Sequence, residues 1–183
     1  MKIAQTALAG VLIVETSPFA DDRGAFARLY DDDRLAPVIG ARRLVQINHS
    51  RTSAVGTVRG MHFQYPPHAE IRFVRCLRGR VWDVAVDLRA GSPTFLCWHA
   101  EELAPDNSRM LVVPEGCAHG FQVLEPESEL LYLHTARYAP EAEGGFACND
   151  PRLGITWPLP VVGLSRRDAG FPPIAVDFSG IAV

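Results

Sequence analysis

The stretch Pro114-Glu-Gly-Cys-Ala-His-Gly-Phe121 joins a proline–glycine turn to an apolar run that contains a histidine. Proline restricts its own φ angle, and glycine adopts positive φ without a steric penalty, so together they favour a tight turn. The apolar residues after the turn are typical of a strand. The stretch therefore predicts a turn that delivers His119 into the next strand.

The rest of the chain is divided in the same way, into short β-branched and aromatic runs separated by Gly, Pro, Asn and Asp. This punctuation predicts an all-β protein, a sandwich or barrel. Helical signals are confined to residues 31–36, with an acidic first turn, and residues 140–143. Residues 1–16 are predicted as a strand or strand pair, followed by a turn at 21–24. The other predicted strands are 44–48, 57–64, 71–77, 81–88, 95–103, 110–113, 121–124 and 129–136.

Size and composition favour a single domain, residues 1–183, because 48% of the 183 residues are hydrophobic and can fill a sizeable core. A net charge of −3 and a pI near 6.1 give no general attraction to nucleic acid or to a membrane surface. The apolar run 7–14 is short for a signal peptide, and no run approaches the ~20 residues that span a membrane. The four cysteines form no Cys-x-x-Cys pair, so we expect reduced thiols and a cytoplasmic protein.

A second informative stretch is Gly56-Thr-Val-Arg-Gly-Met-His-Phe-Gln64. Strand alternation puts His62 and Gln64 on one face and Arg59 on the other. His62 is a candidate catalytic base, and the alternative is a hydrogen-bonded histidine of the core.

The runs 71–77 and 81–88 are joined by the tight Arg78-Gly79 link, which predicts that they pair as a hairpin. In the second run Asp83 and Asp87 share one face. These two carboxylates are either solvated or paired with arginines.

The Pro114–Phe121 stretch matches the Pro-x-Gly-x-x-His turn of the cupin superfamily. The resemblance implies a jelly roll, or double-stranded β-helix, with short helices and a loop-rich C-terminal segment. Metal-binding cupins add His-x-His and a glutamate, ligands that suit iron, manganese or zinc. Here the corresponding place reads His62-Phe-Gln64, and His68 and Glu70 lie beyond a Pro66-Pro67 break. We therefore expect no metal or other cofactor, and a histidine-lined pocket that favours acid–base over redox chemistry.

Nearly the whole chain resembles the nucleotide-diphospho-4-keto-6-deoxysugar epimerases, the dTDP-4-dehydrorhamnose 3,5-epimerase family. The resemblance implies cofactor-free inversion of C3, C5 or both in a nucleotide-linked 4-keto sugar, most simply dTDP-4-dehydro-6-deoxyglucose. A base removes a proton beside the ketone, and an acid returns one to the opposite face. The segments that carry the resemblance are 19–26, 46–50, 59–64, 81–89, 91–94, 114–121, 149–158 and 164–168.

The resemblance also implies the roles of four catalytic residues. His62 is the expected base, oriented by Asp168, and Tyr132 is the expected acid. Arg72 stands where the family has a lysine that stabilises the enolate. Arginine keeps the charge but is larger and planar, so the exchange changes the geometry.

Further positions match family residues that hold the diphosphate, base or sugar of the substrate. One of them, Arg28, replaces a family glutamate, which leaves the nucleotide and the sugar open. The resemblance also implies a homodimer whose N-terminal segment reaches the partner's site. The matched binding positions are Arg23, Phe26, Arg28, Gln46, Asn48, Arg59, His119, Tyr138 and Glu143.

Three other functions remain open at the level of sequence. One is 3-epimerisation of a sugar on another nucleotide, such as CDP. The second is keto-isomerisation on the same fold, although the Tyr132 match favours epimerisation. The third is a non-catalytic sugar-nucleotide-binding protein, which the exchanges at Arg72 and Arg28 favour.

Overall fold

Thirteen strands and two short α-helices form the secondary structure of residues 1–183, all of which the computed structural model describes. The helices are α1 Asp32–Ile39 and α2 Arg166–Ala169, with one 3-10 turn at Pro140–Ala142. The strands are β1 Lys2–Gln5, β2 Leu12–Glu15, β3 Phe19–Asp21, β4 Gly24–Phe26, β5 Gln46–Thr52, β6 Val58–Gln64, β7 Arg72–Arg78, β8 Val81–Asp87, β9 Trp98–Leu103, β10 Arg109–Val113, β11 Cys117–Val123, β12 Ser128–His134 and β13 Glu143–Gly145.

Two antiparallel sheets pack face to face as a jelly roll, which confirms the predicted all-β fold class. The six-stranded sheet has the order β1-β2-β10-β7-β12-β5, and the five-stranded sheet has the order β13-β6-β11-β8-β9. Apolar side chains from both sheets, such as Val74 and Leu130 from one and Val81 and Phe121 from the other, form the central core. The predicted pair within residues 1–16 is the β1–β2 hairpin.

The outer faces of both sheets are also covered. Helix α1 begins where the Asp31 side chain accepts a hydrogen bond from the backbone N–H of Arg34, and it buries Leu35 and Ile39 against the six-stranded sheet. The C-terminal segment covers the five-stranded sheet with side chains such as Ile174. No helix is both long enough and apolar enough to cross a membrane.

The predicted hairpin of β7 and β8 is wrong. Strand β7 pairs with β10 and β12, whereas β8 belongs to the other sheet and pairs with β11 and β9. Gly79 has φ +72°, and a Cβ there would lie 2.4 Å from Ser128 Oγ. The tight link is therefore a corner between the sheets, because β10 and β12 occupy the two edges of β7, and β9 and β11 occupy the two edges of β8.

Two strand boundaries also differ from the prediction in ways that position the site. Strand β5 begins at Gln46 and continues to Thr52, beyond the predicted end at residue 48. Strand β11 begins at Cys117 rather than at Phe121, so His119 lies inside the strand.

Strand β6 contains a bulge, so the simple alternation predicted for it is wrong at Arg59. His119 pairs with His62 and Phe121 with Arg59, so three steps along β6 match two steps along β11. Arg59 and His62 consequently line the same cavity. Gly60 makes the bulge possible, since it has φ +134° and a Cβ there would lie 2.6 Å from Gly120 Cα.

We predict that Gly60→Ala destabilises the protein by about 2–4 kcal/mol, because it adds backbone strain and a steric contact. The matched control is Gly24→Ala, which has φ +135° but no atom within 4 Å of the added Cβ. Only backbone strain applies at Gly24, so we expect Gly24→Ala to lower the free energy of unfolding by about 1–2 kcal/mol. Urea denaturation of the two variants measures the difference, and equal losses would contradict the steric role of Gly60.

Candidate active site

A cavity of about 850 Å³ lies between the two sheets at the end where polar side chains replace the apolar core. Strands β6 and β11 supply one wall, and β5, β7 and β12 supply the other. The residues of α2 and of the segment before β13 line it as well. The chain thus builds a polar cavity large enough for a small-molecule ligand.

His62 and Asp168 form a hydrogen-bonded pair in this cavity. The imidazole Nε2 lies 2.8 Å from Asp168 Oδ1, and the Asp168 side chain is only 3% exposed. Burial by itself would raise the carboxyl pKa, but the hydrogen bonds and charge of His62 outweigh it and lower the pKa of Asp168. Because the carboxylate can only accept, His62 Nε2 carries the proton and Nδ1 is left as the free lone pair.

Arg167 approaches the same imidazole. Its Nη2 lies 3.2 Å from His62 Nε2, and its Nη1 donates to Glu143 at 2.8 Å. A guanidinium has no acceptor and the Nε2 proton already points to Asp168, so the contact between the two nitrogens is not a hydrogen bond. Glu143 therefore holds the arginine beside the imidazole.

Tyr132 reaches the cavity from β12, so it lies in the opposite sheet from His62. Burial raises the pKa of the phenol well above its ordinary value of 10.0. Tyr132 therefore keeps its proton at neutral pH. Its ring contacts His119 edge-on and stacks on His134, with ring centroids 6.0 Å apart in both pairs.

His119 forms a second imidazole–carboxylate pair, with Asp83. Its Nε2 lies 2.9 Å and 3.0 Å from the two carboxylate oxygens, and both side chains are buried. Burial lowers the pKa of His119 despite the opposing effect of Asp83, so the imidazole is neutral. The sequence left Asp83 open between solvent and an arginine partner, and both alternatives are wrong.

Most of the other residues that the sequence predicted for the site also line this cavity. Arg72 donates through Nη2 to Glu70 at 2.5 Å, and Arg59 donates through Nε to Thr52 at 2.9 Å. Tyr138 donates its hydroxyl proton to Glu143 at 2.9 Å. The predicted residues that line the cavity are His62, Tyr132, Asp168, Arg72, Gln46, Asn48, Arg59, His119, Tyr138 and Glu143.

Three predicted binding residues do not line the cavity within one chain. Arg23, Phe26 and Arg28 lie in or next to the exposed β3–β4 hairpin. Arg23 pairs with Asp21, and Arg28 pairs with Asp31 at 2.6 Å. Whether these three residues bind a ligand stays a prediction.

The sequence prediction gave no role in the site to four polar residues that form its hydrogen-bonded pairs. Two of them, Asp83 and Arg167, lie within the family-like segments 81–89 and 164–168, and the other two lie outside every such segment. Gln64, which the sequence put on the same strand face as His62, supports the wall of the cavity. Its side-chain amide forms hydrogen bonds with the backbone of His68 and of Ala139. The four residues without a predicted role are Glu70, Asp83, His134 and Arg167.

The structure is similar to those of solved jelly-roll epimerases. It matches dTDP-6-deoxy-D-glucose-3,5-epimerase from Legionella pneumophila, solved in complex with dTDP-4-keto-L-rhamnose, with a TM-score of 0.91 and 36% identity. The match covers 100% of this chain and 98% of the other. The cavity and its imidazole–carboxylate pairs therefore lie on a cupin-type epimerase fold.

The sequence comparisons narrow this class to a family. The family model described as dTDP-4-dehydrorhamnose 3,5-epimerase matches residues 5–175. The 3,5-epimerase of Salmonella typhimurium is 42% identical, with 94% of each chain covered. The dTDP-4-dehydrorhamnose 3-epimerase of Streptomyces niveus is 41% identical, with 92% of this chain and 81% of the other covered. The chain belongs to the dTDP-4-dehydrorhamnose 3,5-epimerase family, which confirms the resemblance and the enzyme class, an isomerase.

We predict that Asp168→Asn lowers kcat by about 10²- to 10⁴-fold, because an amide does not stabilise the imidazolium that forms when His62 takes a proton. Steady-state kinetics measure the loss. The control is Asp177→Asn, which removes an exposed carboxylate that forms no side-chain hydrogen bond or ion pair and should leave kcat unchanged. A kcat within threefold of wild type for Asp168→Asn would contradict the role of the pair.

The same variant tests the pKa of Asp168 through stability. Because the folded pKa lies below the ordinary 3.8, the carboxylate stabilises the fold above that value and loses this effect as the pH falls through the folded pKa. Urea denaturation should show wild type more stable than Asp168→Asn at pH 6, and the difference should shrink towards pH 3. A difference that grows on acidification would contradict the lowered pKa.

Proposed function

We propose that the protein epimerises a nucleotide-diphospho-4-keto-6-deoxyhexose, most simply dTDP-4-dehydro-6-deoxyglucose, at C3, C5 or both. The observation that carries the proposal is the pair of groups on opposite walls of one cavity. His62 offers a free imidazole lone pair from the five-stranded sheet, and Tyr132 offers a phenolic proton from the six-stranded sheet. Inversion of a carbon needs a base and an acid on opposite faces.

The base in this mechanism is His62 Nδ1. Its Nε2–H is committed to Asp168, so the imidazole cannot change tautomer and only Nδ1 can take a proton from the carbon beside the ketone. The imidazolium that results lies 2.8 Å from a carboxylate, which stabilises its charge. Abstraction converts the ketone into an enolate.

The acid is Tyr132. A phenol is a stronger acid than the carbon beside a ketone, so transfer of its proton to the enolate carbon is favourable even with a raised pKa. Delivery from the wall opposite His62 places the new C–H bond on the other face of the sugar. The configuration at that carbon is then inverted.

Arg72 supplies positive charge to the enolate oxygen. Negative charge develops on the ketone oxygen only after the proton is removed, so a fixed cation nearby stabilises the transition state more than the substrate. Arg72 is only 13% exposed and lines the cavity, which strengthens its electrostatic effect.

Arg59 is the best candidate for the diphosphate among the cavity arginines. Arg72 is paired with Glu70 and Arg167 with Glu143, whereas Arg59 bonds only to the Thr52 hydroxyl and the Arg51 carbonyl. Its charge is therefore free for an anionic ligand. Tyr138 is 52% exposed at the rim, where its ring can stack on the nucleobase.

We further propose a homodimer in which the β3–β4 hairpin completes the partner's site. All six residues of the hairpin strands are exposed, and the two phenylalanines among them, Phe19 and Phe26, are 77% and 70% exposed. An isolated two-stranded hairpin is marginally stable, so contact with a second chain would stabilise it. Arg23 and Arg28 would then reach the partner's nucleotide.

The four free cysteines suit the reducing cytoplasm, where we expect the enzyme to act.

We predict that His62→Asn and Tyr132→Phe fail in different ways with dTDP-4-dehydro-6-deoxyglucose in deuterated buffer. His62→Asn should abolish deuterium uptake, because no base remains on that face. Tyr132→Phe should still take up deuterium through His62 but yield little inverted sugar. Proton NMR follows label and configuration at C3 and C5 separately.

The same NMR experiment, with wild type beside the two variants, distinguishes the proposed epimerase from its rivals. Wild type that binds the sugar nucleotide but exchanges no deuterium would indicate a binding protein. A carbonyl that moves to C3 would indicate an isomerase. Wild-type exchange by His62→Asn, or normal inversion by Tyr132→Phe, would contradict the assigned roles.

The dimer predicts complementation between two impaired variants. Arg23→Ala loses the hairpin contribution and His62→Asn loses the base, so a mixed dimer regains one intact site. Random mixing should restore about a quarter of the wild-type sites. Arg34→Ala, on the exposed face of α1, is the control that should be active without mixing. A monomer in sedimentation experiments, or no recovery after subunit exchange, would contradict the proposal.

A further inference from the structure

Glu70, Arg72 and His134 form a hydrogen-bonded row in the wall of the cavity. Glu70 Oε1 accepts from Arg72 Nη2 at 2.5 Å, and Glu70 Oε2 lies 2.7 Å from His134 Nδ1. The three side chains are 8%, 13% and 10% exposed. Both oxygens of one buried carboxylate are thus engaged by two different side chains.

The strands hold this row in place. Arg72 and His134 are direct partners across β7 and β12. Next to them, Ile71 N–H donates to the Thr135 hydroxyl at 2.8 Å, which fixes the chain immediately after Glu70. The buried Arg72 guanidinium is unfavourable without a compensating negative charge. The Glu70 carboxylate lies between Arg72 and His134 and supplies that charge.

The hydrogen atoms of the row can be assigned. Burial favours protonation of Glu70, but its contacts with His134 and Arg72 lower the pKa below the ordinary value, so the group is a carboxylate. His134 Nδ1 therefore carries a proton and donates it. Its Nε2, 3.3 Å from Asn48 Nδ2, accepts from that amide, and Asn48 Oδ1 accepts from Gln46 at 3.2 Å. The three donor nitrogens that lead from Gln46 through Asn48 and His134 to Glu70 therefore each have one acceptor.

This arrangement restricts the Arg72 guanidinium. Nη2 is committed to Glu70, and Nε is buried without a hydrogen-bond partner. Nη1 bonds to no protein group and is the nitrogen left for a ligand. A guanidinium is a planar fork whose direction matters, unlike the compact ammonium of a lysine. An arginine in this wall therefore needs a second group to set the plane of its fork.

We propose that Glu70, held by His134, is the positioning residue that aims the Arg72 guanidinium at the ketone oxygen of the substrate. Glu70 acts through Arg72 and does not touch the sugar. The inference rests on the proposed function, in which Arg72 stabilises the enolate. It explains why a buried carboxylate lies beside a cation that the reaction needs.

Glu70→Gln tests the proposal with almost no change in size. If the amide oxygen accepts from Arg72, its NH₂ group faces the donating Nδ1 of His134. If His134 changes tautomer to relieve this, its Nε2 proton faces the NH₂ group of Asn48. One hydrogen bond of the row is lost in either case, so the Arg72 fork loses its fixed direction.

We predict that Glu70→Gln lowers kcat by about 10- to 100-fold and changes KM by less than about threefold, because the aimed charge acts mainly in the transition state. The decisive measurement is a double-mutant cycle with Arg72→Ala. In the Arg72→Ala background Glu70→Gln should lower kcat by less than about twofold, because there is no guanidinium left to aim. A merely structural role would lower kcat by the same factor in both backgrounds.

Glu70→Asp, which keeps the charge but shortens the side chain so that it cannot reach both Arg72 and His134, is the second variant, for use if Glu70→Gln does not fold. It should lower kcat by about 3- to 10-fold, and this effect should also disappear in the Arg72→Ala background. Glu141→Gln is the charge-matched control, since this glutamate is 72% exposed and should leave kcat unchanged. Thermal unfolding verifies that each variant is folded.

The outcomes separate this inference from the proposed function. If Arg72→Ala lowers kcat by 10²-fold or more but Glu70→Gln is silent or additive, the positioning role is wrong and the epimerase mechanism stands. If Arg72→Ala is itself silent, Arg72 does not stabilise the enolate and the positioning role of Glu70 fails with it, whereas the roles of His62 and Tyr132 are untouched. A strong loss for Arg72→Ala together with a non-additive loss for Glu70→Gln supports both.

Discussion

Three imidazole–carboxylate hydrogen bonds hold the walls of the cavity, and the chemistry of the site depends on them. His62 pairs with Asp168, His119 with Asp83, and His134 with Glu70. A buried carboxylate is unfavourable unless donors replace its lost hydration, and a buried imidazole needs a partner to fix its tautomer. Each pair satisfies both requirements, so the polar cavity can exist inside a folded jelly roll.

These pairs also decide what each histidine can do. In every case the carboxylate takes one ring N–H, so the opposite ring nitrogen is directed elsewhere. For His62 that nitrogen is a free base in the cavity. For His134 it accepts from Asn48 and continues a hydrogen-bonded row, which makes the residue part of the support. In the proposed mechanism, the same pairing therefore serves catalysis at one strand and geometry at another.

The sequence predicted the parts of the fold that depend on local chemistry. The proline–glycine turn before His119, the acidic start of α1 and most of the strands follow from residues close together in the chain. Residue-by-residue matching to the family also identified ten of the residues that line the cavity. It gave no role to Glu70 or His134, because both residues lie outside the segments that carry the family resemblance.

What the sequence by itself determined is therefore the all-β class, the turns and the candidate base. The tertiary structure decided which strands share a sheet, and it showed that the Arg78-Gly79 link is a corner and not a hairpin. It also decided that Arg59 shares the cavity with His62, because the bulge at Gly60 shifts the alternation of β6. Partners such as His62 and Asp168 are 106 residues apart, and no local rule relates such positions. Their contact exists only after two sheets have closed around a common interior, where burial forces each charge to find a partner.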